Sequence, residues 1–197
     1  KYIHLSKKLT KISRLVCEGQ QADTDFASKN DITENEYFEM IKNKTAVLIG
    51  CSFMFGGIVA EANDLNTNLL YEIGLNLGIA FQLEDDLLDC FGDQEKFGKK
   101  IGGDIIEKKK TLLYLFTNLK LESEKKLEFE NIFNSNEIAE SEKINSIKLF
   151  YETSGALKYV KNKVKVYFDK ADQLINKLEL DNDTKRKLNQ FSKTLLN

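Results

Sequence analysis

The 197 residues of this chain contain no proline, and long stretches place apolar residues at intervals of three and four. That spacing gathers apolar side chains on one face of an α-helix, whereas a β-strand would need them at every second position. The clearest run consists of Val160, Val164, Tyr167, Ala171, Leu174 and Leu178. The pattern predicts an all-α fold.

Length and composition indicate how many domains the chain forms and which kinds of partner are excluded. With 42% hydrophobic and 30% charged residues, residues 1–197 are expected to form a single all-helical domain around one core. The net charge of −2 provides no overall basic surface for nucleic acid. The most apolar segment, Thr45 to Ala60, contains three glycines and is shorter than the roughly 18 to 20 residues that span a bilayer. We therefore expect a buried helix there, and no membrane span.

The three cysteines, Cys17, Cys51 and Cys90, are odd in number and widely spaced. They form no CxxC or mixed cysteine and histidine pattern, so neither a zinc site nor a disulfide framework is expected. Reduced thiols of this kind are typical of a cytoplasmic protein.

Helix boundaries follow from the apolar pattern and from one capping signal. Thr33 and Glu36 have the spacing of a capping box, which predicts a helix start at about Glu34. The first predicted helix runs from about Tyr2 to Glu18, and the second from about Glu34 to Ala62. A polar break at Asn63 to Asn68 follows, and the third helix continues from there to about Cys90. A loop from Gly92 to Lys110 follows, and beyond it we expect helix at LLYLF, two shorter helices after Leu119, the helix that ends at Leu178, and a last helix after Asp183.

Residues 84–89 read EDDLLD and place three aspartates in an otherwise apolar helix. At about 100° per residue, Asp85, Asp86 and Asp89 can all face one point in space. Such close negative charges raise one another's pKa values, and a divalent cation would relieve the repulsion. Oxygen ligands favour Mg²⁺ or Ca²⁺ over zinc or copper, and Mg²⁺ fits better because it needs only one or two carboxylates besides water and phosphate. A solvated acidic face is the alternative interpretation.

The segment that follows, GKKIGGDIIEKKK at residues 98–110, contains five lysines and three glycines. The glycines permit close backbone approach to an anion, and the lysines supply positive charge. Carboxylates for a metal followed by flexible lysines suit a diphosphate, although an ordinary solvated loop has the same composition. Nucleic acid is a weaker candidate because acidic residues interrupt the basic run and no aromatic ladder accompanies it.

Residues 81–111, FQLEDDLLDCFGDQEKFGKKIGGDIIEKKKT, resemble the second aspartate-rich region of the trans-type polyprenyl diphosphate synthases, the farnesyl and geranylgeranyl diphosphate synthase family. EGQQADTDF at 18–26 and KTAVLIG at 44–50 match the same family in order and spacing, so the resemblance covers about residues 1–120. It implies an isoprenoid synthase-type helical bundle around a central cavity.

The resemblance also implies a metal site for Mg²⁺. Asp85 would be a direct ligand, while Asp86 and Asp89 complete the motif, with Asp89 acting through water. Asp104 would lie in the outer shell of the same ion.

The substrate residues that the resemblance implies are Gln20, Asp23, Lys44, Thr45, Gln82, Lys99 and Lys109. The three lysines would contact diphosphate oxygens. Thr45, Gln82 and the Lys44 carbonyl would surround an allylic cation in a cavity that Gln20 and Asp23 also line. The implied reaction is that of a prenyltransferase of isoprenoid biosynthesis: magnesium assists the ionisation of an allylic diphosphate, and isopentenyl diphosphate attacks the cation. A homodimer is expected by the same analogy.

One departure from the family is the lack of a first aspartate-rich motif before Gln20. The N-terminal helices that carry this motif in the family are missing from the sequence, which is therefore expected to be catalytically incomplete as given. Three explanations stay open. The sequence is a piece of a longer enzyme, a non-catalytic regulatory subunit that pairs with a complete synthase, or a helical interaction module that retains the synthase scaffold.

Overall fold

The structure, a computed structural model, describes residues 2–29, 31–93, 98 and 101–195. Within those ranges the regular secondary structure is helical, which confirms the all-α prediction. The α-helices are α1 (Tyr2–Phe26), α2 (Glu34–Ile41), α3 (Val47–Val59), α4 (Asp64–Phe91), α5 (Gly103–Ile106), α6 (Leu112–Lys120), α7 (Ser123–Asn134), α8 (Glu140–Thr153), α9 (Ala156–Lys177) and α10 (Asn182–Thr194). No helix in this described part is both long and apolar enough to cross a membrane.

Helices α2 and α3 form one continuous rod interrupted by a π-helical turn at Lys42–Ala46. The rod starts at the predicted capping box: the Glu36 N–H donates to Thr33 Oγ1 at 3.2 Å, and the Thr33 N–H donates to Glu36 Oε2 at 2.8 Å. The two residues thus satisfy backbone donors that the first turn of a helix leaves unpaired.

Several helix boundaries differ from the sequence prediction. Helix α3 ends at Val59 instead of Ala62, and the predicted loop from Gly92 to Lys110 contains the short helix α5. Helix α1 continues past Glu18 to Phe26. Helix α4 begins inside the expected polar break, because the Asn63 side chain accepts a hydrogen bond from the Asn66 N–H at 2.8 Å and acts as the helix cap. The polar residues that were expected to form the break are therefore largely the first turn of the helix.

The chain divides into two compact units, each assembled from separate segments. Unit 1 comprises Lys1–Thr24, Phe38–Gln82 and Val164–Asn197, and unit 2 comprises Asp25–Tyr37 and Leu83–Lys163. The expectation of a single domain stays a prediction.

In unit 1, helices α3 and α4 touch through their backbones. A Cβ atom on Gly74 would lie 2.7 Å from Gly50 Cα, and one on Gly78 would lie 2.5 Å from Ala46 Cα. These distances leave no room for larger side chains. The apolar segment predicted to be a buried helix therefore packs along α4, and its Val47, Cys51 and Met54 join Ile12 of α1 in the core.

In unit 2, helices α6, α7 and α8 pack around aromatic side chains. Phe129 and Phe133 are fully buried, and the Tyr114 ring lies 4.4 Å from the Phe133 ring between centroids. Phe150 and Tyr151 of α8 contact Phe129 edge-on. Helix α8 of this core also contacts the short helix α5, which carries the predicted metal residue Asp104.

Candidate functional site

Helices α4 and α5 bring acidic side chains together in unit 2. Asp89 is the centre of this arrangement: its Oδ2 accepts the Asp104 N–H at 2.9 Å, and its backbone oxygen accepts the Gly102 N–H at 2.6 Å. Gly102 and Asp104 are therefore bound to the last turn of α4. Asp85 is exposed one turn earlier on α4. We call Asp85, Asp86, Asp89 and Asp104 the acidic cluster.

Two glycines allow α5 to approach Asp89 this closely. Gly102 has a φ of 82°, a left-handed conformation that L side chains rarely adopt, and a Cβ there would lie 2.7 Å from Ile144 Cδ1. A Cβ on Gly103 would lie 3.0 Å from Asp89 Oδ1. The sequence predicted that these glycines permit close approach to an anion. In the structure, Gly102 approaches the backbone oxygen of Asp89, and Gly103 approaches its carboxylate. Approach of these glycines to a diphosphate stays a prediction.

The acidic cluster is electrostatically unfavourable without a cation. Burial raises the pKa of Asp89, and the nearby Asp104 and Asp85 carboxylates raise it further, against the opposing effects of the Asp104 N–H and of Lys109. Mutual repulsion among oxygen donors is the environment that a hard divalent cation relieves. The chemistry of the donor set therefore fits magnesium.

The four carboxylates do not form a ready-made metal cage. In the part of the chain that the structure describes, no three histidine, cysteine, aspartate or glutamate side chains are grouped to hold an ion. Magnesium commonly binds through one or two carboxylates and completes its shell with water and phosphate, so it does not require such a cage.

Asp86 differs from the other members of the cluster because it is buried. Only 6% of it is exposed, and its Oδ2 accepts the Tyr37 hydroxyl at 2.6 Å. Tyr37 was missed by the sequence interpretation. It lies 49 residues before Asp86 and looks like an ordinary core aromatic at the start of a helix, so no local spacing could have indicated the contact.

Lys109 supplies positive charge beside the acidic cluster. Its Nζ lies 2.8 Å from Asp104 Oδ1 and 3.0 Å from Glu107 Oε2. Burial acts to lower the pKa of Lys109, but these two carboxylates outweigh burial and raise it above its ordinary value. The ammonium group is therefore charged at any physiological pH. The predicted diphosphate residue Lys99 lies outside the described residues.

The neighbouring lysines are engaged elsewhere. Lys108 Nζ donates to the Asn134 carbonyl at 2.7 Å, and Lys110 Nζ donates to the carbonyl of Lys29. They tie the loop to other parts of unit 2, which leaves Lys109 as the lysine of the KKK run that contacts the acidic cluster.

Unit 1 contains the second group of predicted site residues. Lys44 Nζ lies 2.5 Å from Asp23 Oδ2, and the Thr45 hydroxyl donates to Gln82 Oε1 at 2.7 Å. Lys44 and Thr45 belong to the π-helical turn, a local irregularity that occurs frequently at functional sites. Gln20 is exposed on α1.

Gly19 explains how α1 reaches the π-helical turn. A Cβ at this position would lie 2.2 Å from the Lys44 backbone nitrogen, so only glycine permits the contact. The close approach places Asp23, one helical turn further along α1, beside Lys44. Helix α4 supplies residues to both groups, since it carries Gln82 as well as Asp85.

Comparison with known proteins gives consistent matches. The family model described as polyprenyl synthetase matches residues 1–150. The geranylgeranyl diphosphate synthase of Saccharolobus solfataricus is 38% identical over 174 residues, which cover 88% of this chain and 52% of the relative. The chain spans about half the length of the curated relatives that it matches.

Solved structures extend the similarity to nearly the whole chain. A crystal structure of a geranylgeranyl pyrophosphate synthase superposes with a TM-score of 0.92 at 40% identity, covering 99% of this chain and 61% of that one. A polyprenyl synthase from Caulobacter crescentus CB15, crystallised with calcium and isoprenyl diphosphate, gives a TM-score of 0.88 at 28% identity and covers 98% and 58%.

Proposed function

Because the chain belongs to the polyprenyl synthetase family, we propose that the whole protein is a prenyltransferase of isoprenoid biosynthesis that condenses an allylic diphosphate with isopentenyl diphosphate. The observation that carries the proposal is the acidic cluster with Lys109 beside it, since both belong to one compact unit. The relatives named geranylgeranyl diphosphate synthases support it.

The metal of this reaction is proposed to be magnesium. Asp85 would be its direct ligand, Asp86 and Asp89 would complete the motif, with Asp89 acting through water, and Asp104 would lie in the outer shell. When bound, it supplies positive charge that stabilises the departing diphosphate. The Caulobacter relative, crystallised with calcium and isoprenyl diphosphate, supports a hard divalent cation in this role. Asp89 is already oriented by the Asp104 N–H, so little rearrangement of its carboxylate is needed when the ion binds.

Lysine side chains are proposed to bind the diphosphate oxygens. Lys109 and Lys44 each form an ion pair with an aspartate, Asp104 and Asp23 respectively. These pairs hold the ammonium groups in place before substrate arrives, and a diphosphate carries enough negative charge to share or replace the carboxylate. Lys99 is proposed to contribute in the same way, by resemblance to the family.

Neutral oxygens are proposed to stabilise the allylic cation. The hydroxyl of Thr45 and the side-chain carbonyl of Gln82 carry partial negative charge but do not readily form a covalent bond with the cation. Their mutual hydrogen bond of 2.7 Å fixes both groups, which limits the reorganisation needed when charge develops. Gln20 and the carbonyl of Lys44 are assigned to the same cavity by resemblance alone.

A homodimer in the cytoplasm is proposed for the whole protein. The dimer rests on resemblance to the family. Cytoplasmic location is consistent with three free thiols, of which Cys51 and Cys90 are buried. Burial raises the pKa of both buried thiols, so they stay protonated and unreactive.

The proposed function is tested by assaying the whole protein with magnesium, an allylic diphosphate and labelled isopentenyl diphosphate. We expect prenyl transfer, and we expect Asp85→Ala to lower turnover by about a hundredfold or more, because it removes charge stabilisation at the departing group. Asp183→Ala is the matched control, since this exposed aspartate pairs with Arg186 and Lys187 on its own helix. Absence of transfer by the wild-type protein, or near-normal turnover by Asp85→Ala, would contradict the assignment.

A further inference from the structure

Tyr37 lies outside the predicted site but contacts the acidic cluster directly. Its side chain is 1% exposed, and its hydroxyl lies 2.6 Å from Asp86 Oδ2. Both partners are thus sheltered from water. A buried carboxylate is tolerated only where donors satisfy it, so this hydrogen bond matters more than a similar one at the surface.

The helix that carries Tyr37 is held by a second set of polar contacts. Glu34 lies one turn before Tyr37, and its Oε2 accepts the Tyr159 hydroxyl at 2.7 Å. Lys163 Nζ donates to Glu34 Oε1 at 2.8 Å, and the Tyr159 ring stacks on Phe116 with centroids 4.2 Å apart. We call Glu34, Tyr159 and Lys163 the anchor cluster.

The anchor cluster and the capping box act on the same turn of α2. The Tyr37 N–H donates to the Thr33 carbonyl at 3.1 Å, directly beside the reciprocal hydrogen bonds of Thr33 and Glu36. Because residues three and four apart lie on neighbouring positions of a helix, fixing Glu34 and Thr33 also fixes the direction of the Tyr37 side chain. All of these residues belong to unit 2.

We infer that Tyr37, placed by the anchor cluster, is a positioning residue that holds the Asp86 carboxylate inward beneath Asp85 and Asp89. The inference rests on the proposed function, because it assumes that the acidic cluster binds a divalent cation. Held in this way, Asp86 adds negative charge to the site without turning outward to displace its neighbours. Partners that orient the groups of a metal site commonly change metal affinity about 10- to 100-fold when they are removed.

The test is a titration of the whole protein with Mn²⁺ in the presence of inorganic pyrophosphate, followed by electron paramagnetic resonance. Manganese prefers the same oxygen ligands as magnesium and gives a direct signal of binding. We expect Tyr37→Phe to weaken Mn²⁺ binding about tenfold or more. Tyr114→Phe is the matched control, because this buried tyrosine packs on Phe129 and Phe133 instead of on the acidic cluster.

Repeating the measurement in a protein that carries Asp86→Asn distinguishes a role of Tyr37 through Asp86 from a general loosening of the fold. Asp86→Asn keeps an oxygen that accepts the Tyr37 hydroxyl but removes the charge. If Tyr37 acts through Asp86, adding Tyr37→Phe to this background changes Mn²⁺ affinity far less than it does in the wild type. An equal loss in both backgrounds, or wild-type affinity in Tyr37→Phe alone, would overturn the inference.

Circular dichroism establishes whether Tyr37→Phe folds. If it does not, Tyr159→Phe becomes the deciding variant, because it loosens the half-exposed Glu34 and leaves the buried pair of Tyr37 and Asp86 in place. The expected result is Mn²⁺ binding about threefold weaker, and unchanged binding would overturn the inference. A wild-type protein that binds no Mn²⁺ would overturn the proposed function itself, whereas wild-type binding with unaffected variants overturns only the role of Tyr37.

Discussion

At the scale of single residues, Gly102 determines how the acidic cluster is assembled. Its backbone adopts a φ of 82°, and its N–H donates to the carbonyl of Asp89. The following residue, Gly103, leads directly into Asp104 on α5. The backbone torsion of one glycine thus sets the distance between two carboxylates that are far apart in the sequence.

We expect Gly102→Ala to lower the free energy of unfolding by about 1–3 kcal/mol, because an L side chain is strained at this φ. The new Cβ would also meet Ile144 Cδ1 at 2.7 Å, which adds steric overlap to the strain. Urea unfolding of the wild type and the variant measures the difference.

Gly56→Ala is the matched control for this measurement. Gly56 lies in α3, and a Cβ there would meet nothing within 4 Å. Alanine is favoured over glycine inside a helix by roughly 0.5–1 kcal/mol, so this variant should be slightly more stable than the wild type. Equal stabilities for the wild type and Gly102→Ala would contradict the strain assigned to Gly102.

Residue patterns indicated part of the candidate site but not all of it. Asp85 and Asp89 could be picked out because carboxylates are rare in an apolar helix, and this signal is local. Tyr37 gave no comparable signal, because a tyrosine in a helix is compatible with simple core packing. Its partner is defined only when the chain folds, and sequence spacing carries no information on such distant pairs.

At the scale of helices, the start of α2 depends on a charged capping group. Glu36 accepts hydrogen bonds from the N–H and the hydroxyl of Thr33, both at 2.8 Å, and pairs with Lys29. The Lys29 hydrogen bond and then the Thr33 backbone N–H lower the pKa of Glu36 from its ordinary value of 4.5 to about 2. Both contacts favour the ionised carboxylate.

A pH dependence follows with a definite sign. The lowered pKa of Glu36 means that its contribution to stability is complete above pH 4.5 and is lost as the pH falls towards about 2. Glu36→Gln cannot ionise, so the stability difference between wild type and variant should be largest near neutral pH and should shrink across this interval. Urea midpoints at several pH values measure the difference.

The control for this series is Glu152→Gln, which alters an exposed glutamate in the last turn of α8. Its stability difference from the wild type should be small, and it corrects for the loss of one carboxylate. A gap between wild type and Glu36→Gln that stays constant from pH 7 to pH 2.5 would rule out the assigned role of the charge.

Apolar spacing predicted the longer helices, but it did not predict the short helix α5 or two further local details. The end of α1 was misjudged because Gly19 and the polar residues after it resemble a helix stop, whereas close packing against Lys44 keeps the segment helical. The π-helical turn at Lys42–Ala46 has no recognisable composition. Tertiary contacts decide both features, and they override local propensity.

At the scale of the whole molecule, we expect a homodimer. The expectation rests on resemblance to the family. Single large apolar side chains remain exposed in both units, including Val59 at 67% and Leu119 at 79%, and they are available for contact with a partner. Light scattering of the whole protein should give twice the mass of its chain. A monomer mass across a dilution series would contradict the dimer.

The assembly of each unit from separate chain segments could not be predicted from the sequence. Val164–Asn197 joins the unit formed by the early helices, whereas Asp25–Tyr37 joins the unit formed by later ones. No composition change or flexible linker marks these boundaries, because they fall inside continuous helices such as α4 and α9. Residue patterns indicated the all-α class, and resemblance to the family indicated the particular helical bundle.

The backbone contact between α3 and α4 bears on how relatives of this chain can diverge. Gly50, Gly74 and Gly78 leave no space for a side chain, so they restrict substitution independently of the aspartates. A descendant could lose its carboxylates, and with them the chemistry, yet still be obliged to keep these three glycines. The residues that preserve the helix packing and the residues that carry the chemistry are therefore constrained independently in this scaffold.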